Sequence, residues 1–274
     1  MHDYDSTRRS WNLATRNHNV HKGDQAEALR AGIDPLFPEE LELLGELGGR
    51  SLVHLQCNAG QDSLGLARRG ARVTGVDFAD EAVEFARTLS QQSGIPASFE
   101  CAEVVSWMHA TDSRFELAFS SYGAAMWLPD LAAWAAGIAR VLQPKGRFVY
   151  VEFHPVRWSI GKELRVDGDD YFAEAPFVEP VIDYVALSGT GLGGTEGATP
   201  LDNPIPAMAY QQGLAQVVES LLRAGLTLET LREYPFANGC RTHEALVEAP
   251  GKRWVWPQGI ARTPLMFGLS VRKS

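Results

Sequence analysis

The stretch Ser51-Leu-Val-His-Leu55-Gln-Cys-Asn-Ala-Gly60-Gln-Asp-Ser-Leu64, followed by Arg72-Val-Thr-Gly-Val-Asp77, decides the fold. Its first five residues form a short, largely apolar run with the length of a buried strand. Residues Gln56 to Gly60 then make a turn, a helical pattern runs toward Arg69, and Gly70 stops it. Arg72 to Asp77 alternates as a second strand. From Asp80, a capping aspartate, the apolar positions Ala82, Phe85, Ala86 and Leu89 recur at helical spacing. Two strand–helix steps in tandem predict parallel strands joined by crossover helices.

The same alternation continues outward. Ala97 to Cys101 and Leu117 to Ser120 read as the third and fourth strands, and Asp130 to Leu142 as an alanine-rich helix. Gln143-Pro-Lys-Gly146 reads as a stop, and Phe148-Val-Tyr-Val-Glu-Phe153 as a fifth strand of strong β-formers. Leu214, Val217, Val218, Leu221 and Leu222 mark one helix face, ended by Gly225, and Thr227–Glu233 and Met266–Arg272 supply two last strands. The expectation is one α/β domain: cap helices over 1–48, a core over 49–154, an insertion over 155–212, and a helix with strands over 213–274. The insertion follows strand five and is rich in Gly, Pro and acids, including Thr190-Gly-Leu-Gly-Gly194, and it far exceeds an ordinary connection. Tyr171, Phe172, Phe177 and Tyr184 give it apolar area with which to fold back as a lid or substrate-binding segment, the alternative being a disordered loop. Pro235 to Pro264 is a second, smaller insertion.

Composition narrows the function. The 274 residues are 45% hydrophobic, ample for a full core, and 25 Lys+Arg against 34 Asp+Glu give a formal charge of -9. That balance opposes the phosphate neutralisation that nucleic acids and anionic membranes require, and Arg8, Arg9 and Arg16 are too few to reverse it. Cys57, Cys101 and Cys240 have no paired spacing, which reads as reduced thiols in a cytoplasmic chain rather than a zinc site. Met1 to Trp11 holds no apolar signal region, and Ala124 to Leu142 is broken by Pro129, Asp130 and Arg140, so no membrane span is expected. His18 and His21 lack an obvious third ligand, and no metal is expected. The oligomeric state is not readable.

In a doubly wound sheet the ligand lies at the carboxyl ends of the strands, where an acid ending strand two can accept ribose hydroxyls. Asp77 stands there, its alternative being a turn or cap residue. A dinucleotide site needs three spaced glycines beneath its pyrophosphate, and Gln56 to Ser63 holds only Gly60, which argues against an NAD(P)-dependent oxidoreductase.

Residue by residue, the chain resembles class I S-adenosylmethionine-dependent methyltransferases. Their first motif usually reads Asp-Leu-Gly-Cys-Gly-Thr-Gly where this chain has His54-Leu-Gln-Cys-Asn-Ala-Gly60, so Leu55, Cys57 and Gly60 match. Gln56 and Asn58 replace two glycines and add side chains where backbone normally approaches the cofactor; Asn tolerates positive φ better than most residues. The fuller string to Leu64, with Gly75-Val-Asp-Phe-Ala-Asp-Glu-Ala82, is similar to a bacterial small-molecule subgroup with a His-Leu-Gln-Cys opening. Cys101-Ala-Glu-Val104, Phe115 to Tyr122, Trp127-Leu-Pro-Asp130, Leu142 to Phe148 and Glu152-Phe-His-Pro155 extend the likeness over roughly residues 50 to 155.

The resemblance implies a Rossmann-like, seven-stranded, mostly parallel sheet with helices on both faces. It implies S-adenosyl-L-methionine as cofactor, S-adenosyl-L-homocysteine as product and a small-molecule acceptor methylated on oxygen or nitrogen by in-line displacement. Gln56, Asn58 and Gly60 would form the first loop, Asp77 would hold the ribose, and Phe78, Ala102 and Glu103 would meet the adenine. Ser120 would lie at the end of strand four, and Trp11 and His18 in an N-terminal cap. His154, after strand five, is the candidate general base, its alternative being to tie down the strand-to-loop corner. Tyr122 could orient the acceptor, or be a buried tyrosine bonded to backbone. Trp254 and Trp256 could pack an acceptor or belong to the core. A noncatalytic cofactor-binding or regulatory protein is the rival that Gln56 and Asn58 suggest.

Overall fold

A computed structural model describes residues 4–188 and 198–274, so the Thr190-Gly-Leu-Gly-Gly194 run lies outside the described residues. Three helices come first: α1 (Tyr4–Val20), α2 (Gln25–Arg30) and α3 (Pro38–Leu44). The alternating core follows as β1 (Ser51–Leu55), α4 (Gln61–Arg68), β2 (Arg72–Asp77), α5 (Asp80–Ser93), β3 (Ser98–Cys101), α6 (Val104–Ala110), β4 (Phe115–Ser121), α7 (Leu131–Val141) and β5 (Leu142–Phe153). Within the insertion lie β6 (Phe177–Pro180), α8 (Tyr184–Ser188) and β7 (Pro206–Ala209). Beyond it come α9 (Leu214–Arg223), β8 (Leu226–Tyr234), β9 (Phe236–Asn238), β10 (Val247–Ala249), β11 (Arg253–Val255) and β12 (Met266–Lys273).

Seven strands form one sheet in the order β3-β2-β1-β4-β5-β12-β8. The first five run parallel, and β12 runs antiparallel between β5 and β8. This is the mostly parallel, Rossmann-like sheet that the sequence predicts. Strand order reverses between β1 and β4, and such a switch point opens a crevice at the carboxyl ends of the strands. One expectation shifts: the Gln143-Pro-Lys-Gly146 stop lies inside β5. Leu142 pairs with Phe115 and Arg147 with Leu117, so the intervening residues bulge out of register around Lys145 at φ +64°.

Period-two alternation sends side chains to both faces. Val53, Leu55, Ala118, Phe148 and Tyr150 join one buried cluster with residues of α6, α7 and α9. Trp134 is at its centre, edge-on to Phe148 at 5.5 Å and to Tyr150 at 5.7 Å. Leu52, Leu117, Phe119, Val149 and Val151 face the other way, toward Leu43, Leu44 and Leu66 of α3 and α4.

The described part of the first insertion is clasped to α1. The antiparallel pair β6–β7 is held by Ser6 Oγ donating to the Pro206 carbonyl at 2.7 Å, and by Met208 N donating to Thr7 Oγ1 at 3.0 Å. Buried Asn203 donates through Nδ2 to Ser10 O and Oγ, each at 3.1 Å, and to Val181 O at 2.9 Å. The second insertion forms a small sheet in the order β10-β11-β9.

Two tests follow from these contacts. Gly60 has φ +80°, and a Cβ there would sit 2.6 Å from Ala86 Cβ and 3.0 Å from the Phe99 ring, whereas Gly94, at φ +73°, has open space. Chemical denaturation should show Gly60→Ala destabilised by about 2–4 kcal/mol and Gly94→Ala by only about 1 kcal/mol; equal losses would contradict the close packing at Gly60. Asn203→Ala strips three acceptors of their partner, and limited proteolysis should then cut the 155–212 segment at least several-fold faster, with the core intact.

Candidate active site

The crevice is built on the loop joining β1 to α4. Gln56, Asn58 and Gly60 have φ of +55°, +48° and +80°, so the loop keeps the left-handed turns that glycines would supply most easily. Local bonds offset that strain. Asn58 Oδ1 accepts from Ala59 N at 2.6 Å, and Gln56 Nε2 donates to the Ala124 carbonyl at 2.9 Å, tying the loop to the segment after β4. His54 Nδ1 lies 2.8 Å from Ser63 Oγ, and burial pushes its pKa down to about 3, so it stays neutral.

Asp77 closes β2 beneath this loop. Its Oδ2 accepts from Asn58 N at 2.8 Å and its Oδ1 from Ala79 N at 2.9 Å. Burial pushes the carboxyl up to about 6, while the amides of Ala79, Asn58 and Phe78 pull it down. The outcome is a carboxylate at neutral pH, fixed in direction, with lone pairs left for a ligand.

A cleft of about 810 Å³ opens above. Gln56, Asn58, Asp77, Phe78 and Glu103 line it at one end, and Trp11, from α1, lines it beside Trp127, at 5.4 Å edge-on. Tyr122 and Phe153 line the wall that follows β4 and β5, and Arg157, Trp158 and Asn238 come from the two insertions. Glu103 also caps α6, accepting from Val105 N at 2.9 Å and Ser106 N at 2.7 Å.

Other expected site residues do not face the cleft. Gly60 sits behind the loop, against Ala86 and Phe99, and Ala102 contributes a backbone bond from its N to Asp77 O at 2.8 Å. Ser120 is fully buried, and its neighbour Ser121 lines the cleft instead. His18 is not on an exposed helix surface: it is buried, with Nε2 3.0 Å from Ile182 O and its ring 4.2 Å from Tyr184, which does line the cleft. Burial pushes His18 down to about 4.

His154 requires a correction. Its Nδ1 accepts from Val156 N at 3.2 Å, its Nε2 lies 3.0 Å from Glu233 Oε1, and its ring packs edge-on to Phe267. Phe153 lines the cleft, whereas His154, one residue beyond the end of β5, does not. These contacts tie down the strand-to-loop corner. Trp256 is buried and donates to Thr263 Oγ1 at 3.1 Å, and neither it nor Trp254 lines the cleft.

Several cleft residues were not anticipated. Lys22, after α1, is pushed down to about 8 by burial, and Asp62, at the start of α4, is pushed up to about 6 by burial; both line the cleft and attract each other. Behind Tyr122 lies buried Glu40, whose Oε2 accepts from Phe37 N at 3.0 Å and whose carboxyl burial holds well above the usual range. Asn238 Nδ2 bridges Tyr122 Oη at 3.1 Å and Glu39 Oε2 at 3.0 Å, and Arg253 pairs with Glu39. Burial and the nearby Glu40 keep Tyr122 a phenol. Asp62 alone had a local signal, since it follows the loop by two residues; the others meet only through long-range packing. Among the described residues no helix is long and apolar enough to cross a membrane, and no group of three or more His, Cys, Asp or Glu side chains could hold a metal ion.

The chain is similar to known proteins in sequence and in fold. Residues 53–146 match the family described as Methyltransferase domain. A ubiquinone biosynthesis O-methyltransferase of Methylobacterium sp. is 31% identical over 117 residues, 43% of this chain and 44% of that protein. An S-adenosyl-L-methionine-dependent Diels-Alderase of Talaromyces variabilis is 36% identical over 125 residues, 41% of this chain and 40% of that protein. The chain thus spans less than half the length of these curated relatives. In fold, an S-adenosylmethionine-dependent methyltransferase from Mesorhizobium loti superposes with a TM-score of 0.56 at 20% identity, covering 86% of this chain and 96% of that one. Residues 53–146 are thus similar to a methyltransferase domain, and the fold is that of solved S-adenosylmethionine-dependent methyltransferases.

Proposed function

We propose that this protein is an S-adenosylmethionine-dependent methyltransferase that moves a methyl group to an oxygen or nitrogen of a small organic acceptor by in-line displacement. The carrying observation is Asp77, a buried carboxylate held by two backbone amides and opening on the cleft beside a left-handed loop.

The residues present fit that cofactor. Asp77 would accept the two ribose hydroxyls, and Phe78 and Trp11 offer flat apolar surface for the adenine. Glu103, whose oxygens each retain a lone pair after capping α6, would take the adenine amino group. The opposite charges of Lys22 and Asp62 would meet the carboxylate and ammonium of the methionyl group. Bound S-adenosylmethionine supplies an electrophilic methyl group and needs no covalent enzyme intermediate. The chain's contribution is then desolvation and alignment. Trp11, Trp127 and the β6–β7 clasp exclude water, and Tyr122, fixed by Asn238 and Glu40, orients the acceptor. A second reading, cofactor binding without methyl transfer, is favoured by one observation, the likeness to the Talaromyces Diels-Alderase. Appearance of S-adenosylhomocysteine during an acceptor screen separates the two.

Calorimetry should show S-adenosylhomocysteine binding and no NADH binding, with Asp77→Ala weakening the former at least tenfold. No S-adenosylhomocysteine binding by folded protein free of copurified cofactor would overturn the proposal. The pH dependence carries a sign. Asp77 titrates near 6 in the free protein, and only its charged form accepts both hydroxyls, so affinity should hold above pH 7 and fall toward tenfold per unit below 6. Asp77→Asn should flatten that slope, leaving only the part that Asp62 supplies; an unchanged slope would move the effect to Asp62 alone.

A further inference from the structure

The cleft holds a buried cation that the cofactor assignment does not use. Arg157 follows β5 on the 155–159 turn and is only 4% exposed, yet it lines the cleft. Its Nη1 donates to the Thr242 carbonyl, and its guanidinium lies over the Trp158 ring. Its Nε is buried with no hydrogen-bond partner. Among the described residues no carboxylate oxygen comes within 4.0 Å of its nitrogens, and Asp169 acts on it only across a longer gap.

This state is unusual. Buried guanidinium groups normally meet a carboxylate, because an uncompensated charge forfeits its hydration without return. The dearth of a partner is felt in the group's acidity: burial pushes it down to about 9, which still leaves it charged at neutral pH. Its neighbours compensate it only in part, since Asp169 lines the cleft but makes no ion pair with it. Arg241 and Lys252 line the same end of the cleft, and the thiol of Cys240 is raised by burial and stays neutral. With Nη1 engaged, the Nε–Nη2 edge remains, and that edge presents two parallel donors spaced for the two oxygens of a carboxylate.

We infer that Arg157 is a specificity-determining residue whose Nε–Nη2 edge receives a carboxylate on the methyl acceptor, making the substrate an organic acid. The inference rests on the methyltransferase reading for the word acceptor, while the anion site itself stands on Arg157 alone. Its place supports the division of the cleft. Asp77, Phe78 and Glu103 follow β2 and β3, whereas Arg157 follows β5 and is held by Thr242 of the second insertion, across the switch point. Trp158 and Phe153 beside it supply the apolar surface for the body of such an acid, and Tyr122 and Asn238 the polar contacts. The step itself is balanced as an ordinary transfer: a lone pair of the acceptor's oxygen or nitrogen forms the new bond to carbon, the sulfur–carbon bond breaks, and the acceptor's proton leaves to solvent. The carboxylate bound by Arg157 takes no part in bonding and only fixes the pose.

The test uses the whole chain, with and without saturating S-adenosylhomocysteine, titrated with benzoate, phenylacetate and octanoate, each against its own primary amide, and with inorganic phosphate. At least one carboxylate should bind ten times more tightly than its amide, and Arg157→Gln should bring the pair within about twofold. S-adenosylhomocysteine affinity should be unchanged in Arg157→Gln, which also shows that the variant folds; if it does not fold, Arg157→Lys, which keeps the charge but loses the fork, should lower the preference several-fold. Amides binding as well as carboxylates, no carboxylate binding, or a preference that survives Arg157→Gln would overturn the inference. Phosphate binding more tightly than every carboxylate would overturn the carboxylate assignment, and a loss of S-adenosylhomocysteine affinity in Arg157→Gln would place the residue in the cofactor site instead. Failure of the methyltransferase reading is separate: it shows as absent S-adenosylhomocysteine binding by the unaltered protein, in which case the carboxylate preference is read from the titrations without it.

Discussion

The close approach of the β1–α4 loop to the end of β2 is the constraint on which the rest of the site depends. Asn58 N donates to Asp77, while Gly60, two residues on, presses against Ala86 and Phe99 with no room for a Cβ. That contact fixes the direction of the Asp77 carboxylate, starts α4 at Gly60 and sets the floor of the cleft. Where glycines are absent, at Gln56 and Asn58, the left-handed turns survive because each side chain finds a local partner. The side chain of Gln56 does more than fill space: by holding the Ala124 carbonyl it couples the β1–α4 loop to the segment after β4, which carries Tyr122.

A second dependence runs from the N-terminus. The helix α1 contributes few large apolar residues, and its short polar groups, Ser6, Thr7 and Ser10, are buried against the insertion, where they satisfy its backbone. Cap and insertion therefore stabilise one another, and Trp11 and Tyr184 are presented to the cleft from opposite sides of that joint. Loosening either should open the cleft without unfolding the sheet, because the sheet's own core around Trp134 is complete without them.

Much of this was legible in the sequence. All seven sheet strands carry either an apolar run or a two-residue period between Gly and Pro punctuation, and those signals are local. The strands β6, β7, β9, β10 and β11 are three or four residues long, and only their pairing with distant segments makes them strands. Of the residues expected in the site, Trp11, Gln56, Asn58, Asp77, Phe78, Glu103 and Tyr122 line the cleft. Ser120 and His154 are buried at the ends of β4 and β5 and do not line the cleft, whereas the adjacent Ser121 and Phe153 do. Position along a strand is a sequence property, whereas facing depends on how the strand twists into the sheet. Lys22, Glu40 and Arg157 gave no local signal because their significance is burial, which tertiary packing alone creates.

The central claim is that Asp77 holds a ribose at the carboxyl end of β2. A crystal of the protein grown with S-adenosylhomocysteine measures it directly. Density is expected for both ribose hydroxyls within hydrogen-bond distance of the Asp77 carboxylate, with the sulfur directed toward Tyr122. Density for the ligand elsewhere in the cleft, with Asp77 making only its bonds to Asn58 and Ala79, would contradict it.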